Sequence, residues 1–207
     1  MSDSRSSGGV GILGGTFDPP HNGHLAAAEE IMHRLQLERV VWAPAGSPPH
    51  KAHLRVSPAS CRLDMLRLAV ENNSKFEIDE IELRLEGSSY TARTLMAMHD
   101  KYGESRLRFM IGSDEFANLS EWRQPEVVIQ FAELIVMVRS GVSFDPGAVE
   151  AKLPAVVGRY ELTPAPDLPL SSSDLRTRVR TGLPIRYLVP DAVRSYIYEH
   201  RLYTEEG

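Results

Sequence analysis

The segment Gly14-Gly15-Thr16-Phe17-Asp18-Pro19-Pro20-His21-Asn22-Gly23-His24 gathers more chemistry than any other stretch of the chain. Two adjacent glycines let backbone approach a ligand without side-chain obstruction. A helix starting here would offer N–H groups and a positive dipole end to an anion. His21 and His24 share a face if the first turn includes both, and two imidazoles there could donate to phosphate oxygens. The plain alternative is a turn with incidental histidines, which would win for a lone Gly-Gly pair. Zinc ranks below phosphate, because no third ligand of suitable spacing stands nearby and Cys61 is the only cysteine. The segment matches neither the GxGxxG fingerprint nor a GK[ST] ending.

Three further segments could act on the same kind of ligand. Between Arg39 and Leu63 the chain carries Arg39, Lys51, Arg55 and Arg62 without an acid, and Lys51 closes the run Pro48-Pro49-His50-Lys51. That is a locally positive patch or, read plainly, a solvated loop. Ser89-Tyr90-Thr91 opens a helix suited to a carboxylate, and Trp122, after IGSDEFANLSEW, offers an indole to a flat cationic ring. A tryptophan alone is more often a core residue. Ser171-Ser172-Ser173-Asp174-Leu175-Arg176 joins hydroxyls, a helix start and an arginine, as a polyphosphate clamp requires. A capping box with a basic outer face is the alternative, and the preferred reading for Arg178 and Arg180.

Positioning these groups takes alternating strands and helices. Val10 to Leu13 reads as a short buried strand. The helix from His24 places Leu25, Ala28, Ile31, Met32 and Leu35 on one stripe. A strand at 39–43, an exposed proline-rich loop at 45–58 and a helix at 61–73 follow. Phe76 to Leu85 alternates apolar and charged residues with a phase break at Asp79-Glu80, predicting an irregular strand. Ser88 and Ser89 are cap candidates for the helix that ends before Gly103. A strand at 107–111, a short helix, a helix opened by Pro125 and an apolar strand at 134–138 come next. A helix at 146–153, a strand at 155–162 and two helices within 171–182 and 191–203 complete the chain. The pattern predicts an α/β three-layer fold with a parallel sheet and a site outside the C-terminal strand ends. Residues 1–9 read as a flexible tail and 10–207 as one domain.

The chain has 207 residues, 42% hydrophobic and 25% charged, with a net charge of -5. That balance argues against coating nucleic acid, as does the lack of a continuous basic, aromatic-bearing face. A lone cysteine fits a reducing compartment, so the cytoplasm is expected. No signal-peptide pattern opens the chain and no run of about 18 apolar residues occurs, so neither export nor a membrane is expected.

The eleven residues GGTFDPPHNGH resemble the HxGH nucleotidyltransferase signature in the long form found in nicotinate-nucleotide adenylyltransferases. The resemblance implies a Rossmann-like fold with a mostly parallel sheet, whose C-terminal helical segment, 171–207, completes the ATP site. It implies adenylyl transfer from ATP to nicotinic acid mononucleotide, with Mg²⁺ carried by the ATP phosphates and no metal site on the protein. By that resemblance His21, His24 and Arg176 are catalytic. Gly14, Gly15, Thr16, Phe17, Gly112, Asp114, Ser172 and Ser173 join them in binding ATP, Asp114 at ribose hydroxyls. Lys51, Tyr90, Thr91, Trp122 and Arg139 would hold the mononucleotide, Lys51 and Arg139 at its phosphate. Leu170, Ser173 and Leu175 depart conservatively from the usual family residues and keep the hydroxyls and the arginine. The alternatives are a relative using nicotinamide mononucleotide or phosphopantetheine, and a nucleotide sensor without turnover. The double proline before His21 and the PPHK, SYT and Trp122 segments favour nicotinate. The intact HxGH and SSSDLR segments favour catalysis. The oligomeric state stays open, a homo-oligomer included.

Overall fold

Six parallel strands, in the order β3-β2-β1-β4-β5-β6, make one sheet in this computed structural model. The structure describes residues 8–46, 56–85, 87–103, 105–138 and 144–204. Lys51 and Arg139, together with Pro48, Pro49, His50 and Arg55, lie outside the described residues.

The strands are β1 (Val10–Gly15), β2 (Arg39–Pro44), β3 (Phe76–Ile78), β4 (Leu107–Gly112), β5 (Glu133–Val138) and β6 (Tyr160–Pro164). Alternating residues face opposite layers. Leu13, Val40, Trp42, Met110 and Ile135 pack under α1 (Asn22–Arg34) and α2 (Ala59–Val70), through Ala28, Ile31, Met32, Leu66 and Val70. Ile12, Val41, Phe109, Ile111, Leu134 and Val136 pack on the other face, against residues of α4 (Thr91–Tyr102), α6 (Pro125–Phe131) and α7 (Pro146–Lys152). A third cluster joins Met65 of α2 to Leu175 of α8 (Ser172–Arg180) and to Val193 and Ile197 of α9 (Asp191–Glu199). The strand order reverses between β1 and β4, and a crevice opens at that point outside the C-terminal ends of both strands.

Several boundaries differ from the sequence reading for identifiable reasons. Phe76 to Leu85 is not one strand: β3 stops at Ile78, and Asp79 accepts a hydrogen bond from the Ile81 N–H (3.1 Å), opening the single-turn α3 (Ile81–Arg84). The phase break marks that change of element. Ser88 and Ser89 do not cap α4; Tyr90 is its N-cap and contributes no side-chain bond. Pro154–Val156 forms a 3₁₀ turn, so the last strand begins at Tyr160. Gly8 and Gly9, assigned to the tail, are held: the Gly8 N–H donates to the Leu35 carbonyl and Gly9 is buried.

Candidate active site

Helix α1 begins at Asn22, two residues earlier than its periodicity suggests, because His21 is its N-cap. The His21 Nδ1 accepts from the His24 N–H (3.3 Å) and the His24 Nδ1 accepts from the His21 N–H (3.2 Å). This is a capping box built from two imidazoles instead of the usual hydroxyl and carboxamide or carboxylate. With both Nδ1 atoms accepting, each neutral ring carries its proton on Nε2. The rings stack at 3.6 Å between centroids. A side chain at Gly23 would meet His21 ring atoms at 3.1 and 3.2 Å, close enough to press on the stacked ring.

Both histidines line a cavity of about 310 Å³ on the α1 side of the sheet, within the roughly 300–1,000 Å³ typical of ligand sites. Leu13, Ala27, Met137 and Leu168 supply apolar wall, Gly112 stands at the strand end, and Ser171, Ser172 and Ser173 bring the start of α8. The polar rim therefore combines two imidazoles with a helix N-terminus, which suits phosphate, and the apolar wall suits a purine. Ser171 caps α8 by accepting from the Asp174 N–H (3.0 Å). Ser172 donates to the Pro19 carbonyl (2.9 Å). Arg176 is pinned on two sides, donating to the Asp18 carbonyl (2.8 Å) and to the Ser173 hydroxyl (3.1 Å).

The loop from β1 to α1 is anchored from below. A Cβ at Gly15 would meet the Phe17 ring at 2.9 Å. Phe17 is buried and packs edge-on to His24, so only its backbone can face a ligand. Arg62 is 2% exposed. It donates to the carbonyls of Thr16 (3.0 Å), Ala45 (2.7 Å), Gly46 (3.2 Å) and Ser57 (3.1 Å). Burial lowers its pKa from the ordinary guanidinium value, against the opposing pull of the Asp18 charge. The buried Asp18 carboxylate accepts from the Ser57 N–H (3.1 Å) and the Tyr203 hydroxyl (2.7 Å).

These contacts correct the expected positive patch. Arg62 is spent on backbone carbonyls, and Arg39 stands at the opposite end of β2, paired with Glu77 (3.3 Å). Arg178 donates to the Pro184 carbonyl and Arg180 to the Thr177 hydroxyl, matching the plain reading of both. Among the described basic residues of those two segments, Arg62 and Arg176 are bonded to the β1–α1 loop, Arg62 at the Thr16 carbonyl and Arg176 at the Asp18 carbonyl.

Tyr90, Thr91 and Trp122 lie outside the cavity wall, and Trp122 packs with α4 in the layer on the other face of the sheet from α1. Trp122 is half-buried, its ring edge-on to Phe109 at 6.4 Å. The Arg123 guanidinium lies 4.7 Å from the centre of the Tyr90 ring, tying the segment after Trp122 to the start of α4. A Cβ at Gly14 would touch that same Phe109 ring, at 3.4 Å, so Gly14 adjoins the packing beneath Trp122. Asp114 is exposed and does not cap its helix, α5 (Ser113–Ala117); a Cβ at Gly112 would strike its Oδ1 at 2.4 Å. The sequence reading assigns no role to Asp18, Arg123 or Tyr203, though Asp18 stands within the recognised motif, and counts Arg62 only in the positive patch.

Comparison with known proteins fits this geometry. A family model described as cytidylyltransferase-like matches residues 12–178. A Desulfitobacterium hafniense (strain DSM 10664 / DCB-2) protein named "Probable nicotinate-nucleotide adenylyltransferase" is 42% identical over 94% of this chain and 95% of its own. One of the same name from Roseiflexus sp. (strain RS-1) is 45% identical over 96% and 99%. The solved Plasmodium falciparum nicotinic acid mononucleotide adenylyltransferase complexed with NaAD superposes with a TM-score of 0.78 at 20% identity, covering 96% of this chain and 98% of its own. The same enzyme complexed with APC superposes at 0.74, also at 20% identity. At that identity the likeness shows a shared fold.

Proposed function

The chain belongs to the cytidylyltransferase-like family and, within it, to the nicotinate-nucleotide adenylyltransferases; from that premise we infer that it joins ATP and nicotinic acid mononucleotide into nicotinic acid adenine dinucleotide, releasing pyrophosphate, in NAD biosynthesis. The observation that carries this reading is the stacked His21–His24 pair on the cavity beside the start of α8.

The second pKa of a phosphate monoester is about 6, so the attacking oxygen is already ionised at neutral pH. No general base is needed. That oxygen forms a bond to the α-phosphorus while the bond to the bridging oxygen breaks and pyrophosphate leaves with the electron pair. The protein's work is to align two polyanions and stabilise the charge building on the leaving group. His21 and His24 donate through Nε2 to triphosphate oxygens, and Arg176, held by Asp18 and Ser173, faces the same phosphates. Ser172 and Ser173 set the α8 start. Gly14, Gly15, Thr16 and the Phe17 backbone line the approach, while Gly112 and Asp114 meet the adenosine side. Tyr90, Thr91 and Trp122 take the nicotinate ring and its carboxylate across the crevice, with Lys51 and Arg139 assigned to the mononucleotide phosphate. Residues 171–207 complete the ATP site.

Magnesium enters with ATP. Phosphate oxygens are donors the ion prefers, and among the described residues no group of three or more His, Cys, Asp or Glu side chains could hold a metal ion. When bound it neutralises phosphate charge. Among the described residues no helix is long and apolar enough to cross a membrane, and we place the reaction in the cytoplasm, where free Cys61 stays reduced. Incubation with ATP, Mg²⁺ and nicotinic acid mononucleotide, followed by separation of products, tests the reading. Dinucleotide and pyrophosphate in equal amounts support it, and unchanged ATP counts against it.

A further inference from the structure

The far end of the chain reaches into the loop that carries the histidines. After α9 the backbone reverses through two left-handed residues, Arg201 at φ 50° and Tyr203 at φ 65°. A bulky side chain in that region is a genuine outlier, held only where surrounding structure over-determines it. The reversal delivers the Tyr203 phenol to Asp18 Oδ1 at 2.7 Å, a contact between residues 185 positions apart. Asp18 is 1% exposed, and its other carboxylate oxygen takes the Ser57 N–H.

With both carboxylate oxygens held, residue 18 has one orientation, and in it the main-chain carbonyl accepts from Arg176. Resting on the adenylyl-transfer reading above, we propose that Tyr203 is a positioning residue: its hydroxyl fixes Asp18, and Asp18 fixes the Arg176 guanidinium against the ATP triphosphate. Burial and the neighbouring Asp18 carboxylate both push the Tyr203 pKa upward. The hydroxyl therefore keeps the proton that it donates. The ring also packs beside Met65, the hydroxyl lying 3.8 Å from its sulfur, so Tyr203→Phe retains the packing and removes the donor alone.

The test is a double-mutant cycle of Tyr203→Phe and Arg176→Ala, read as kcat, as KM for each substrate and as equilibrium affinity for ATP without acceptor. Tyr203→Phe alone should lower kcat about tenfold, since small misplacements of catalytic groups are costly, and leave KM for the mononucleotide unchanged. In the Arg176→Ala background the same change should cost little more, because residues acting as one unit are not additive. Losses that multiply across the two backgrounds, or an unchanged kcat in Tyr203→Phe, would overturn the proposal. A merely structural role shifts the melting temperature in both backgrounds and leaves the losses independent. Wild-type protein inactive with every acceptor would count against the adenylyl-transfer reading instead; the linkage is then decided by ATP affinity, where losses of equal size in both backgrounds overturn it. Should Tyr203→Phe fail to fold, the near-isosteric Asp18→Asn takes its place in the same cycle.

Discussion

His21 and His24 cap each other: each ring accepts the other's backbone N–H, at 3.3 and 3.2 Å, and the rings lie stacked 3.6 Å apart. One arrangement thus starts helix α1, leaves Nε2 as the donor nitrogen of each neutral ring and places both histidines on the cavity wall. On the proposed reading, folding and catalysis depend on the same two bonds.

His24→Ala should lower turnover about 100-fold or more, the order expected when a donor to developing charge is lost. The lost cap should also cost stability, about 1 kcal/mol. Steady-state kinetics at saturating ATP, alongside thermal denaturation, separates the two effects. Near-normal turnover would remove His24 from the catalytic role.

Gly23→Ala should split activity from stability. Alanine favours a helix over glycine by up to about 1 kcal/mol, but its Cβ would press on the His21 ring at 3.1 Å. Turnover is expected to fall about tenfold while the melting temperature holds or rises. Unchanged kinetics would show that the stack can shift without consequence.

Trp122→Ala should raise KM for nicotinic acid mononucleotide far more than KM for ATP. The indole lies outside the cavity wall, edge-on to Phe109. Equal effects on both constants would reduce Trp122 to a packing residue.

Alkaline pH should destabilise the fold. Tyr102, Tyr196 and Tyr203 all have raised pKa values, chiefly through burial, with Asp79 beside Tyr102 and Asp18 beside Tyr203 adding to it. A raised pKa favours the protonated phenol in the folded chain. Its contribution is complete below the unfolded value of about 10 and is lost as pH rises beyond it, because the unfolded chain then releases protons that the folded chain keeps. Urea denaturation followed through this range should show stability falling above pH of about 10. The fall should be shallower in Tyr102→Phe, and an identical profile would contradict the assignment.

Much of the architecture was legible from periodicity. The α1 stripe of Ala28, Ile31 and Met32 is buried as read, and β4 runs to Gly112. The start of α1 was not legible, because histidine is not among the favoured N-cap residues. Alternation on both sides of Asp79-Glu80 imitated a strand, whereas the phase break between them is where Asp79 opens a helical turn by accepting from the Ile81 N–H. Charge counting misplaced Arg39 and Arg62, whose guanidinium groups serve Glu77 and four backbone carbonyls. Nothing local marks Tyr203, whose hydroxyl bonds to Asp18, 185 positions away.

Pyrophosphate release measured with ATP and Mg²⁺ against three acceptors, nicotinic acid mononucleotide, nicotinamide mononucleotide and phosphopantetheine, tests the central assignment most directly. Release is expected with the nicotinate acceptor at the highest kcat/KM, lower with the amide and at background with phosphopantetheine. Preference for the amide would contradict the acceptor assignment, and silence with all three would leave a nucleotide-binding protein without turnover.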